Sequence, residues 1–295
     1  MKVKKYAAID IGSNAVRLLI CNIIEQKGKP TVFSKNAIIR VPIRLGADSF
    51  VLGEIGEENQ ERMIDAMHAY KLLMKVHGVS QYLAYATSAL REANNGHQFV
   101  ARVHKATGIS IEIIDGQREA EIIASTDLYS VLKPNKNYLF VDVGGGSTEL
   151  TVYSKGQILI SKSFKLGTVR LLKKMVSKQV WNDYQSWIEM HTNGLQDFSI
   201  LGSGGTINTL FKLSGHKLGK PLSLDYVEKQ YNALKKMSRK KMMTRLKLNP
   251  DRADVIVQAT RIYLLAMQHA NASKIHVPKV GLADGMVKYM YNRVG

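Results

Sequence analysis

An apolar strand ending in aspartate, followed by a glycine turn, occurs twice in this chain, with Asp142 standing 132 residues after Asp10. In "AIDIGSNAVRLLI" and "FVDVGGGSTELTV" the aspartate closes the strand. A glycine follows two residues on, and the chain leaves in a second strand of alternating polarity. Such an echo is an internal duplication at domain scale, and it predicts two similar domains that each begin strand, glycine turn, strand, tight turn, strand. A length of 295 residues agrees, because a single core stops growing near ~250 residues.

The sequence between and after the copies alternates strand-like with helical patterns, so the chain is α/β. A helix is expected from about Glu57 to Val76, with Met63, Met67, Tyr70 and Met74 on one core-facing side. "HQFVARVHKATG" reads as a helix stopped at Gly108 in a left-handed cap. "ISIEIID" reads as a strand and "QREAEIIASTDLYSVL" as the helix after it. A third apolar strand runs into glycines at "SILGSGGTINTL", residues 199–210.

The glycine turns exclude two familiar nucleotide loops. A dinucleotide fingerprint needs G-x-G-x-x-G and then a helix, whereas "GGGS" leads into "TELTVYS", a strand. No G-K-[ST] ends the loop, so it is not a Walker-type loop either. What remains is a glycine-lined hairpin turn whose bare amides can converge on an anion, with Ser13 and Ser147 adding hydroxyl donors. Asp142 and Glu149 are wrongly charged for binding phosphate alone. A divalent cation that bridges carboxylate, water and phosphate oxygen resolves the conflict. The eight histidines are scattered, without zinc spacing.

Charge is divided unevenly. Residues 1–150 hold 18 Lys and Arg against 16 Asp and Glu, while residues 151–295 hold 24 against 8, nearly the whole net +18. A phosphate-rich partner is expected from that asymmetry. The basic stretch "LKKMSRKKMMTRLKL" at 234–248, read as one helix, offers Lys235, Lys236, Arg239, Lys240 and Arg245 for contacts along a polyanion. Its cations do not interleave with aromatics, which argues against nucleic acid. Cys21 is the single cysteine and lies in an apolar run, where a packed thiol in a reducing compartment is expected. Asp10 and Arg17 interrupt the apolar N-terminal stretch, and no run reaches the ~18 apolar residues of a membrane span. A cytoplasmic protein without membrane contact is the expectation.

The ordered set "AAIDIGSNAVRLLI", "YATSALREANNG", "GQREAEI", "FVDVGGGSTEL", "FKLGTVRL", "GSGGTINTL" and "PDRADVI" resembles the exopolyphosphatase and guanosine pentaphosphate phosphohydrolase family. The likeness runs from about residue 6 to 290, and the chain is similar to the short members that lack an extra helical domain. The resemblance implies an actin-like fold: two ribonuclease-H-like domains flanking a cleft, the first at 1–120, the second at 121–281 with a basic helical insertion. It further implies that a helix at about 282–295 packs back on the first domain.

The resemblance also implies site roles. Gly144, Gly145, Gly146 and Ser147 would hold the phosphate being cleaved; Ser13, Asn14, Arg17 and Arg91 would contact phosphate; and Gly204 and Gly205 would line the cleft. Glu119 matches the catalytic base, with Arg118 where the family has an acidic neighbour, and Glu121 nearby reads as a solvated helix residue. Glu149 positions water or metal together with Asp142 and Asp10, and magnesium or another divalent cation is the implied cofactor. The expected reaction is release of orthophosphate from the ends of inorganic polyphosphate. Hydrolysis of guanosine pentaphosphate to tetraphosphate is the alternative, with an ATP-using relative and a non-catalytic polyanion binder more remote. A homodimer is among the expected assemblies.

Overall fold

The computed structural model describes residues 1–124, 126, 136–195 and 198–294. The chain divides into two compact units, Met1–Thr126 with Leu282–Gly295, and Asp127–Gly281.

In the first unit, β1 (Lys2–Ile11), β2 (Val16–Glu25) and β3 (Val32–Val41) form an antiparallel meander. The chain then passes through α1 (Leu45–Leu52) and α2 (Glu57–His77) to β4 (Gln81–Ala86), which joins β1 in parallel. After α3 (Ser88–Glu92) and α4 (Gly96–Thr107) come β5 (Glu112–Ile113) and α5 (Gly116–Ala124). The sheet order is β3-β2-β1-β4-β5. Residues Tyr6–Ile11 of β1 are buried without alternation, as a central strand covered on both faces requires.

The second unit repeats the plan. The meander β6 (Asn137–Val143), β7 (Thr148–Ser154) and β8 (Gln157–Phe164) is followed by α6 (Thr168–Leu172), α7 (Lys178–Thr192), β9 (Phe198–Ser203) and α8 (Gly205–Leu213). Then come β10 (Leu222–Ser223), α9 (Leu224–Lys235), α10 (Arg239–Arg245), α11 (Pro250–Ala253), α12 (Ile256–His269) and β11 (Lys274–His276). The order β10-β11-β9-β6-β7-β8 keeps the same neighbours about its first strand, with β9 parallel to β6. Both units thus carry one α/β plan, an antiparallel meander whose first strand is extended by a parallel strand. The duplication reaches a detail: the β2–β3 register slips at Ile20/Cys21 and the β7–β8 register at Val152/Tyr153, again 132 residues apart.

The final helix, α13 (Leu282–Val294), belongs to the first unit and packs against α5, β1, β2 and β4. Its approach to α5 is close enough that a Cβ at Gly285 would be driven into the carbonyl of Ile122. Lys35 meets Asp284 at 2.7 Å and the Phe33 and Tyr291 rings pack edge to face, fixing the helix to the meander. Because α5 is held there, the first unit runs to Thr126 rather than stopping at 120.

Other expectations meet the structure element by element. Met63, Met67, Tyr70 and Met74 are buried on α2, and α4 stops at Gly108 with φ 74°. The expected strand "ISIEIID" shrinks to Glu112–Ile113. The expected helix after it is seen to Ala124, and its remainder lies largely outside the described residues. The basic stretch at 234–248 is not one helix. α9 ends at Lys235, and Ser238 caps a new helix by accepting from the Lys241 amide at 3.3 Å. Helix α1 carries no clear sequence signal, for it is short, has only Asp48 and Ser49 as polar side chains, and is entered through Arg44 in a left-handed conformation. Among the described residues no helix is long and apolar enough to cross a membrane.

Two outcomes are expected from this packing. Gly285→Ala should destabilise the protein by about 1–3 kcal/mol, read as a lower thermal midpoint, although alanine favours helix by ~1 kcal/mol. An unchanged or higher midpoint would contradict the close α5–α13 contact. Burial pushes the Cys21 thiol up to about 11, with the nearby Asp284 carboxylate adding to it. At pH 8 a disulfide reagent should therefore titrate this thiol only after denaturant is added.

Candidate active site

In the second unit, β6 delivers Asp142 to the turn and β7 leaves from Thr148, with Asp142 opposite Glu149 in the antiparallel register. The Gly144 amide closes the hairpin by donating to Ser147 O at 3.0 Å. The next three carbonyls all face α6. Gly144 O accepts from the Thr168 amide at 3.1 Å, Gly145 O from the Val169 amide at 2.8 Å, and Gly146 O from Arg170 Nε at 2.7 Å. A trans peptide is planar, so a carbonyl and the following N–H point in opposite directions. The amides of Gly145, Gly146 and Ser147 are therefore turned together, away from α6. Successive amides turned to one side make an anion-binding nest. The expectation that Gly144 also presents its amide is corrected, since that group is used inside the turn.

Helix α6 can lie this near only because Gly167 has no side chain; a Cβ there would be driven into the Gly145 carbonyl. Thr148 fastens the same corner by donating its hydroxyl to Leu166 O.

Glu149 is only 2% exposed, and its Oε1 accepts from Ser163 Oγ at 2.8 Å. Asp142 stands across from it and beside Ser203 at the end of β9. Paired cross-strand carboxylates repel unless a cation intervenes. Hard oxygen donors of this kind suit magnesium, which usually takes one or two carboxylates and completes its shell with water and phosphate oxygens. Among the described residues no three or more His, Cys, Asp or Glu gather as a metal cluster. Tyr263 supports this corner by donating to Ser203 O. Burial, then the charge of Asp142, raises its phenol well above the usual value, so it remains a donor.

Gly204 and Gly205 join β9 to α8 in the same unit. Arg252 of α11 lies over Gly205 and donates from Nη1 to Thr206 Oγ1 at 3.1 Å. It thus places a guanidinium at the start of α8. Neither Arg252 nor Arg170 was assigned a role from sequence; "PDRADVI" and "FKLGTVRL" held them in view, but neither residue borders a glycine turn along the chain.

In the first unit the same hairpin recurs, with the Gly12 amide donating to Ala15 O at 3.2 Å. Its cross-strand pair differs. Asp10 faces Arg17 in register, and Arg17 Nη1 meets Asp10 Oδ2 at 3.2 Å, so an arginine stands where the second unit has Glu149. Asp10 and Arg17, expected to serve metal and phosphate, pair with each other in this structure. Ser13, expected to contact phosphate, has a buried hydroxyl bonded to Ser88 Oγ at 2.9 Å. Asn14 sits in the turn, and its carbonyl accepts from the Arg44 amide at 3.2 Å.

The remaining first-unit residues collect at the carboxyl ends of the parallel strands, where open α/β sheets bind ligands. Arg91, on the short helix after β4, donates from Nη1 to Ile114 O at 2.6 Å. Asp115 caps α5 by accepting from the Arg118 amide at 2.7 Å, which sets Glu119 in the first turn of that helix. Glu119 is half-buried, with Oε2 shielded from solvent. Arg118 does not face the same way: its guanidinium lies 4.5 Å from the Tyr289 ring centroid and 3.3 Å from Glu121, which is exposed.

Residues 24–293 match the Ppx/GppA phosphatase family. The bifunctional 3-dehydroquinate synthase/phosphatase of Fusobacterium nucleatum is 30% identical over 220 residues, 69% of this chain and 33% of that protein. Exopolyphosphatase 1 of Mycobacterium tuberculosis is 27% identical over 172 residues, 58% of this chain and 48% of its own. The chain thus spans between a third and about half the length of these two relatives. A crystal structure of the Aquifex aeolicus member of the Ppx/GppA family superposes with a TM-score of 0.78 at 26% identity, covering 100% of this chain and 99% of that one.

Burial raises the Asp10 carboxyl above its ordinary value of 3.8, against the opposing pull of Arg17. Above pH 3.8 the unfolded chain has lost this proton while the folded one keeps it, so stability falls as pH rises toward the raised value. Asp10→Asn should remove that slope. Urea unfolding of both proteins over this range should show wild type losing ground to the variant as pH rises, and a constant difference would refute the assignment.

Proposed function

Because the chain belongs to the Ppx/GppA phosphatase family, we propose that it is a phosphoanhydride hydrolase that releases orthophosphate from the ends of inorganic polyphosphate. The observation that carries this reading is the set of amides at Gly145, Gly146 and Ser147, turned to one side by the contacts of their carbonyls with residues 168–170. A loop so built takes an anion rather than a base or a sugar, and each charge-assisted bond to it contributes roughly 1.5–3 kcal/mol.

Glu119 accepts the proton of the attacking water as its oxygen bonds to the terminal phosphorus. The bridging P–O bond breaks on the opposite side, leaving a chain one phosphate shorter. Asp142 and Glu149 would hold magnesium or another divalent cation, which would supply positive charge for the phosphoryl oxygens. Ser163 keeps Glu149 oriented toward this task.

Charge placement supports a long substrate over a compact one. Arg252 at the start of α8 belongs to α11, and α11 packs on α10, the basic helix that follows exposed Lys235 and Lys236. Arg239 is held by Asp254 and serves to fasten α10, which leaves Lys240 and Arg245 of that helix exposed. A polyanion following these residues gains contacts beyond its end, with an affinity that falls steeply as salt rises.

The test is orthophosphate release from long-chain polyphosphate with magnesium, run beside guanosine pentaphosphate and ATP. Polyphosphate is expected to be the preferred substrate, and Glu119→Gln should lower kcat on the order of 10²–10⁴-fold. An unimpaired variant would remove Glu119 from the mechanism, and preference for guanosine pentaphosphate would transfer the same chemistry to that substrate.

A further inference from the structure

We infer that Arg170 is a positioning residue for the proposed hydrolysis, setting the Gly146–Ser147 peptide so that its amide serves the phosphate. The inference rests on reading the glycine turn as the phosphate site. Arg170 is 7% exposed, a place in which a cation is kept only when something requires it. Its Nε donates to Gly146 O at 2.7 Å, and that carbonyl belongs to the peptide whose N–H is Ser147.

The duplication supplies the control. Asn14 is the counterpart of Gly146, 132 residues earlier, and its carbonyl accepts from a main-chain amide, that of Arg44 at 3.2 Å. Gly46 there allows the close approach that Gly167 allows here, for a Cβ on it would press on Ser13, and its amide meets Ser13 O at 2.8 Å as the Val169 amide meets Gly145 O. Three residues beyond Gly46 stands Ser49, whose hydroxyl goes to Ala89 O and not to the turn. A hairpin turn of this shape therefore closes without an arginine. In the second unit a neutral amide has been exchanged for a guanidinium at the equivalent carbonyl.

The exchange has two consequences for an anion on the far side of the peptide. A charged donor on the carbonyl polarises the peptide and strengthens its N–H as a donor. The positive charge also lies behind the loop, where it adds to the field at the phosphoryl group without touching it, and a preorganised field of that kind acts most on charge developing in the transition state. Lysine cannot reproduce this, since its ammonium lacks the planar fork that holds one N–H along a fixed direction.

The experiment compares Arg170→Lys and Arg170→Gln with wild type in polyphosphate hydrolysis, thermal midpoint and the ¹⁵N–¹H spectrum during titration with inorganic phosphate. Both variants should lose about 10–100-fold in kcat with a smaller change in KM. Millimolar guanidinium should restore part of the Arg170→Gln rate, and phosphate should shift the Gly145, Gly146 and Ser147 amides in wild type far more than in either variant. Wild-type kcat in both variants, or a rate loss that follows the thermal midpoint and is not restored by guanidinium, overturns the inference. If wild type hydrolyses no phosphoanhydride, the functional reading fails and the spectrum alone decides. Amide shifts in wild type that are lost in the variants then uphold the role of Arg170, and shifts equal in all three, or absent from wild type, overturn it.

Discussion

Each peptide of the turn Gly144–Ser147 has its carbonyl held from behind, and planarity then leaves the amide no direction but forward. The rest of the second unit is arranged around that constraint. Gly167 lets α6 come close enough to hold the carbonyls, Thr148 ties the strand to the same corner, and the hairpin carries Asp142 and Glu149 into register. Had α6 been displaced by a single side chain at Gly167, the carbonyls would lose their donors and the amides their common direction.

The two copies show how a duplicated frame comes to hold different chemistry. Both turns close through the same amide, and both meanders slip register at the same place. At the position across from the strand-end aspartate, however, one copy has arginine and the other glutamate. Arg17 meets Asp10 across the strands, whereas Asp142 and Glu149 set two carboxylates opposite each other. A similar exchange at the carbonyl of the turn, from a main-chain amide in one copy to Arg170 in the other, adds positive charge only where the glycines are. The two changes lie close together in the second unit and carry opposite charges. One faces Asp142 across the strands and the other the back of the turn.

Sequence patterning made much of this frame legible. Alternation and burial demand fixed the two meanders, the spacing of Met63, Met67, Tyr70 and Met74 marked the buried face of α2, and Gly108 marked the end of α4. These are local effects, repeated at the period of the element, and need no knowledge of distant neighbours. Helix α1 was hidden because it is only eight residues long, Asp48 and Ser49 mark no polar stripe, and no side chain caps it. The single basic helix expected at 234–248 failed for a local reason that charge counting passes over, the capping hydroxyl of Ser238.

By itself, the sequence determined that there are two copies of one domain plan, that their glycine turns follow strand-end aspartates, and that the excess positive charge lies in the second half. Those properties are written in residue order and composition. Tertiary structure alone decided which groups of each turn remain for a ligand. Whether Asp10 meets Arg17, whether Ser13 keeps its hydroxyl, and whether Arg170 reaches Gly146 depend on strand register and on a helix brought near by a missing side chain. Contacts between residues 7, 75 and 24 positions apart have no local signature, because the backbone geometry that creates them exists only once the sheet has formed.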